Sequence, residues 1–174
     1  MIFILISLLL FGCKEKEIPV TIIGGDNMSM NLTSPAFQNN GMIPSKYTCD
    51  GEDVNPPLEI SGVPSNAKSL LLIVDDPDAP MATWNHWIVW NIPIVSKIEE
   101  NSVPNRAILG INDFDKHMYG GPCPPSGTHR YMFKLYALDT TLSLDSNSEK
   151  NDVLKAMEGH ILEQTVLVGL YKKT

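Results

Sequence analysis

Ser69-Leu-Leu-Leu-Ile-Val-Asp-Asp-Pro-Asp-Ala-Pro80, followed by Trp84-Asn-His-Trp-Ile-Val-Trp-Asn-Ile92, decides the fold. The first six residues have a strongly apolar centre, as a strand buried on both faces requires. An acidic, Pro-rich turn ends them, and a second apolar run begins at Trp84. On a period of two, Trp84, His86, Ile88 and Trp90 share one face, and Asn85, Trp87, Val89 and Asn91 share the other. Tyr131–Leu138 and Thr165–Tyr171 read as further strands, with shorter candidates at Val20–Ile23, Met30–Ser34 and Leu58–Ile60. One segment reads as helix. Asp145-Ser-Asn-Ser148 offers N-caps before Val153, Leu154, Met157 and Ile161 at helical spacing, which places a helix near 148–162. Gly159 either weakens its middle or marks a break. Strands dominate without a βα rhythm, so the sequence predicts a mainly β fold and disfavours a doubly wound parallel sheet.

Working outward, 174 residues suit one domain with a single sizeable core. The apolar fraction of 43% and charged fraction of 19% are those of a globular chain. A net charge of −7 without a basic stripe excludes a nucleic-acid partner. Residues 1–12 are different material. Ile2–Phe11 is too short to span a bilayer as a helix and matches the apolar core of a secretory signal. Leu10-Phe-Gly-Cys13 resembles a bacterial lipobox with Cys13 as the lipidated residue, although no Lys or Arg precedes it and Phe11 is bulky. The expected organisation is a signal peptide over 1–12, a tether and lead-in over 13–29, and a domain over 30–174. The predicted location is the cell envelope, with the domain held at a membrane and facing the periplasm or exterior. Cys49 and Cys123 then sit in an oxidising compartment and in Gly/Pro-rich loops. They are either a disulfide or two separate thiols.

A second block, Gly120-Gly-Pro-Cys-Pro-Pro-Ser-Gly-Thr-His-Arg-Tyr131, repeats the pattern of a stiff turn delivering a histidine to a strand. Asp75, Asp76 and Asp78 crowd three carboxylates where a strand ends. Asp is common in turns because it bonds its own backbone, and that accounts for at least one of them. Asp76 lies ten residues before His86, so the turn can fold carboxylate against imidazole and stabilise the charged ring. His86, His129 and the amides of Gly120 and Gly121 would form a hollow suited to an anion. Strand parity puts Tyr131 on the face of His129 and turns Arg130 away, towards an ion pair with a buried acid. A metal site from His86, His129 and Asp76, or a hydrolase using Ser126 and His129, would use the same residues. Their spacing matches no metal signature and no nucleophile elbow.

These two blocks, with Ile43-Pro-x-x-Tyr-Thr-Cys-Asp-Gly51, Asn112-Asp-Phe114 and the stretch from Gly159-His160 to Gly169-Leu-Tyr171, resemble the phosphatidylethanolamine-binding protein family. They are most similar to its bacterial Raf-kinase-inhibitor-like branch, from about Met30 to Tyr171. The resemblance implies two antiparallel sheets with a Greek-key element and a few peripheral helices. It also implies a small pocket for phosphate-like or carboxylate anions, including phospholipid headgroups. By position, Asp76, Ala79, Pro80 and His86 would form one wall, and Gly121, Pro122, His129 and Tyr131 the other. A cis peptide before Pro80 would fit the family. No cofactor, metal or catalytic role is implied, and the oligomeric state is left open. Two functions follow. One is an anion- or headgroup-binding protein at a membrane. The alternative is an interaction module that inhibits a kinase or protease; a hydrolase ranks behind both.

Overall fold

The structure is a computed structural model that describes residues 29–173. Two sheets make it. The larger has six strands in the order β2 (Gly41–Met42), β9 (Ile161–Lys172), β8 (Thr128–Leu138), β4 (Ser69–Asp76), β5 (Trp84–Ile92) and β7 (Ile108–Leu109). The smaller holds β1 (Asn31–Thr33), β3 (Leu58–Ser61) and β6 (Lys97–Ile98) in the order β1-β3-β6. The pairings are antiparallel except β2 with β9, which is parallel. Strand β8 returns to lie beside β4 after the β4–β5–β7 meander, which is the Greek-key step.

β4 occupies the middle because nothing along it needs water except its end. All eight of its residues are buried. Leu70, Leu72 and Val74 point between the sheets, joining Trp87, Val89, Tyr131, Phe133 and Leu135. Leu71 and Ile73 point to the opposite face, where Ile88, Trp90, Val153 and Met157 meet them. Each fully buried large side chain contributes roughly 1.5–3 kcal/mol relative to an exposed one.

The one α-helix among the described residues, α1 (Lys150–Met157), covers that outer cluster with Val153 and Met157. It is shorter than the sequence suggests. Its N-cap is Glu149, in a capping box with Asp152, and the run from Asp145 to Ser148 precedes it as a turn. Gly159 ends it with φ +79°, a left-handed conformation that a Cβ opposes. Ile161, counted by periodicity as helical, instead opens β9.

The expected strands over Met30–Ser34, Leu58–Ile60, Tyr131–Leu138 and Thr165–Tyr171 all form, the last two longer than their apolar centres. Val20–Ile23, the signal segment, Cys13 and its lipidation lie outside the described residues. No cis peptide occurs among the described residues, so the bond before Pro80 is trans. At the start of the described chain, Glu163 of β9 accepts bonds from the Ser29 hydroxyl at 2.8 Å and the Met30 amide at 2.7 Å.

Candidate functional site

The ends of β4 and β9 and the beginnings of β5 and β8 meet at one edge of the large sheet, and the two signature blocks converge there. Asp76 ends β4, and its carboxylate is divided between two donors. Oδ1 accepts the Asp78 amide at 2.8 Å, a turn-closing bond, and Oδ2 accepts Nδ1–H of His129 at 2.7 Å. Both partners of the Asp76–His129 pair are buried. Asp78 then grips Arg130 three times: the backbone amide at 2.9 Å, Nε at 2.8 Å and a terminal nitrogen at 2.6 Å. That fork holds the Asp78 carboxyl at about 2, chiefly through the guanidinium bonds. Arg130 does point away from the face of His129, as parity requires. Its partner, however, is the solvent-accessible Asp78 and not a buried acid.

Asp75, one residue earlier, points to the other face and is fully buried. Lys134 of β8 reaches it at 2.8 Å, and Lys150 of α1 at 2.6 Å. The three carboxylates therefore have three separate duties, and Asp76 is the one directed at the edge where the blocks meet.

His86 departs from strand parity. Asp75 faces Asn85 across the β4–β5 pair, whereas Val74 faces Trp87, so the register slips by one and His86 is the extra residue of a β-bulge. Its ring consequently turns to the inner face. It lies edge-on to Tyr131 at 5.2 Å and to Phe114 at 5.3 Å, while Ile88 and Trp90 remain in the outer cluster. The expected bond to Asp76 does not form. Nδ1 of His86 bonds the Gly120 carbonyl at 2.7 Å, and Asp76 takes His129 instead. Burial lowers the His86 pKa below 6.5, outweighing the Gly120 carbonyl and the Asp76 and Asp75 charges.

The glycine amides are also committed. Gly120 N–H donates to the His86 carbonyl at 3.0 Å, and Gly121 N–H to Asp53 Oδ1 at 2.6 Å. Neither is free for an anion, so Gly121 and Pro122 contribute shape. A Cβ on Gly121 would come within 2.7 Å of the Tyr47 carbonyl, which explains the glycine. Ala79 is half-buried and Pro80 exposed, on the turn that leads to the protruding Met81. Cys49 and Cys123 form a disulfide, with Cα atoms 5.5 Å apart. It ties the loop carrying Asp53 to the loop carrying Gly121, and the Cys49 amide bonds the Pro122 carbonyl beside it.

Tyr131 is buried, and its hydroxyl makes no hydrogen bond of good geometry among the described residues, although the Asp76 carboxylate and the Cys123 backbone are its polar neighbours. Burial, then the neighbouring Asp76 charge, raises its pKa, so it remains a donor throughout the physiological range. At the edge, then, stand an oriented histidine pair, the Tyr131 phenol and the carboxylates of Asp76 and Asp53, each already accepting from the protein. No bond joins Ser126 to His129, and no group of three or more His, Cys, Asp or Glu side chains is placed to hold a metal among the described residues. Neither the hydrolase nor the metal alternative gains a contact.

Sequence reasoning missed several contributors. Asp53, in a left-handed conformation, holds Gly121. Asn112 bonds the carbonyls of His86 and Met118 and the amides of Phe114 and Lys116, shaping the loop that delivers Phe114. Phe114 stacks edge-on to Trp84 at 5.5 Å. The Asn112-Asp-Phe114 motif was itself the available signal. A cavity of about 140 Å³ adjoins these groups, lined by Phe114, Met118, Gly120, Gly121 and the disulfide.

Comparison with known proteins agrees with this geometry. The sequence profile described as phosphatidylethanolamine-binding protein matches residues 33–172. A UPF0098 protein of Methanothermobacter thermautotrophicus is 54% identical over 150 residues, covering 83% of this chain and 99% of the relative. One from Chlamydia muridarum is 47% identical with the same coverage. Among solved structures, a phosphatidylethanolamine-binding protein homologue of Chlamydia trachomatis superposes with a TM-score of 0.81 at 44% identity, covering 84% of this chain and 99% of that one. E. coli YbcL, described as a new member of the mammalian family, gives 0.79 at 31% with the same coverage. These relatives are archaeal as well as bacterial, so the similarity does not single out one bacterial branch.

Proposed function

This chain belongs to the phosphatidylethanolamine-binding protein family, and from that premise we propose that it is an envelope binding protein whose pocket takes a small oxyanion, phosphate-like or carboxylate, free or as a headgroup. The observation that carries the reading is the unpartnered Tyr131 hydroxyl. A buried donor without an acceptor costs roughly 1–3 kcal/mol, and here it lies beside the Asp76–His129 pair and the His86 ring. A ligand oxygen that displaces the groups sealing this hydroxyl from solvent would satisfy it. Asp76 keeps His129 oriented, with Nδ1 turned to the carboxylate and Nε2 left for the ligand. Ala79, Pro80, Gly121 and Pro122 would form the walls.

Titration calorimetry with phosphate and phosphoethanolamine tests this. Micromolar to millimolar binding that is lost in Tyr131→Phe and His129→Gln but kept in Ser126→Ala is expected. No heat with either ligand would sink it.

The Raf-kinase-inhibitor-like placement, export and lipidation at Cys13 belong to the same proposal. The apolar run and lipobox-like residues support them. Labelling with a fatty-acid analogue should mark the wild type and fail in Cys13→Ser. A second reading, an inhibitory surface for a kinase or protease, is favoured by one observation: Met81, Trp84, Phe114 and Met118 are exposed apolar side chains around the proposed mouth.

A further inference from the structure

We propose that this pocket sorts oxyanions by their affinity for a proton: it prefers phosphate monoesters and inorganic phosphate to sulfate and phosphodiesters, and captures one proton with each ligand bound. The proposal rests on the anion-pocket reading and names its ligand class.

The geometry of His86 carries it. A carbonyl oxygen can only accept, so the 2.7 Å contact with Gly120 places a hydrogen on Nδ1. The Gly120 bond and the perpendicular packing of Phe114 and Tyr131 favour this one ring orientation. No hydrogen bond among the described residues engages Nε2 as it stands, which leaves that nitrogen for a ligand. It presents either a lone pair or a second proton. Burial favours the lone pair in the empty pocket. The charged and titratable groups around the ring are Asp75 and Asp76 from β4, His129 and Tyr131 from β8, and Lys116 in the loop beside Gly120. Asp75, Asp76 and Tyr131 do not supply the missing proton. Asp76 is committed to His129 and to the Asp78 amide, Asp75 to two lysines on the far face, and Tyr131 holds its own proton tightly.

Two lone pairs repel. An oxyanion approaching Nε2 must therefore share a proton with it, drawn from its own monoanionic form or from solvent. The count is the same by either route: one dianion, one neutral imidazole and one proton give one complex, with no covalent bond made or broken. The shared proton is held best when the two bases are matched. Imidazole titrates near 6.5 and the second proton of a phosphate monoester near 6. Sulfate and phosphodiesters are far weaker bases and lose this bond's strength, and sulfate is the sharper comparison because it keeps the tetrahedral shape and double charge of phosphate.

The test is calorimetry at pH 7.5 and 8.5, in two buffers of different ionisation heat. The ligands are phosphoethanolamine, inorganic phosphate, sulfate and glycerophosphoethanolamine, the last being the soluble diester form of a lipid headgroup. Expected are uptake of about one proton per phosphoethanolamine bound, a roughly tenfold loss of affinity per pH unit, and at least tenfold weaker binding of sulfate and the diester. Equal affinities, or binding without proton uptake, would overturn the proposal and leave the anion pocket standing. Failure of all four ligands would overturn both. His86→Gln, which offers a non-titrating N–H donor, should abolish the proton uptake and narrow the gap between phosphate and sulfate. If that variant does not fold, the wild-type proton count and ligand ranking decide alone.

Discussion

Removing one oxygen from the core should make the empty protein more stable and a worse binder. Tyr131→Phe deletes a buried hydroxyl that meets no acceptor, and an unsatisfied buried donor costs roughly 1–3 kcal/mol. Phenylalanine keeps the ring, and so keeps its edge contact with His86 at 5.2 Å and its place in the inner core. The expected gain in unfolding free energy is about 1 kcal/mol, which for a domain of this size raises Tm by about 3 °C. Loss of one hydrogen bond to a charged ligand, roughly 1.5–3 kcal/mol, should weaken anion binding about 10- to 100-fold. Urea unfolding of exhaustively dialysed protein gives the first number and calorimetry the second. Phosphate must be absent from the unfolding buffer, since a bound anion stabilises the wild type by mass action. Tyr119→Phe is the control. That hydroxyl donates to the Tyr47 carbonyl at 3.0 Å, so its removal should cost about 1 kcal/mol. If Tyr131→Phe destabilises as Tyr119→Phe does and binds anions as tightly as wild type, the hydroxyl has an internal partner and the reasoning fails.

Lys134→Met and Lys150→Met should each cost about 1 kcal/mol, because the other lysine still neutralises Asp75. The double variant leaves a fully buried carboxylate alone and should cost about 3–5 kcal/mol; additive urea midpoints would refute the shared pairing. Replacing Cys49 and Cys123 with serine opens a loop spanning a sequence separation of 74 and should cost about 4 kcal/mol, with an unchanged urea midpoint as the contrary result. Two acid limbs are expected in stability against pH. His86 has a folded pKa below 6.5, so the unfolded chain takes its proton first and stability falls as pH drops below 6.5. Asp78 sits at about 2 against 3.8, so its contribution is present above 3.8 and is lost towards 2. Arg130→Gln should flatten the lower limb alone, and His86→Gln the upper; a lower limb as steep in Arg130→Gln would remove the assignment.

The central strand was legible because Ser69–Val74 is apolar on both faces, a pattern that few other contexts tolerate. Arg130 turning outward while His129 and Tyr131 turn inward was legible too, since β8 pairs with β9 without a register shift from Thr128 to Ala137. His86 was not. Alternation holds only while the pairing is regular, and the bulge that redirects the ring depends on the partner strand, not on the residues next to it. The choice of His129 over His86 by Asp76 was hidden for a similar reason. Ten residues of separation suggested one contact, and the β4–β8 pairing, which spans more than fifty residues, imposed another. The glycines gave a true signal with the wrong emphasis. They mark close backbone approach, but Asp53 and the His86 carbonyl had already taken their amides.

The tie between the first described residues and Glu163 has an orientational consequence. Glu163 pairs with Ala137 at one end of the large sheet, whereas Tyr171 pairs with His129 at the other. Eight residues of strand separate them, about 26 Å. A protein carried on lipid at Cys13 would thus be held by the pole opposite its pocket. If the proposed lipid at Cys13 is present, the pocket would face outward, sampling what diffuses past or what a facing surface presents.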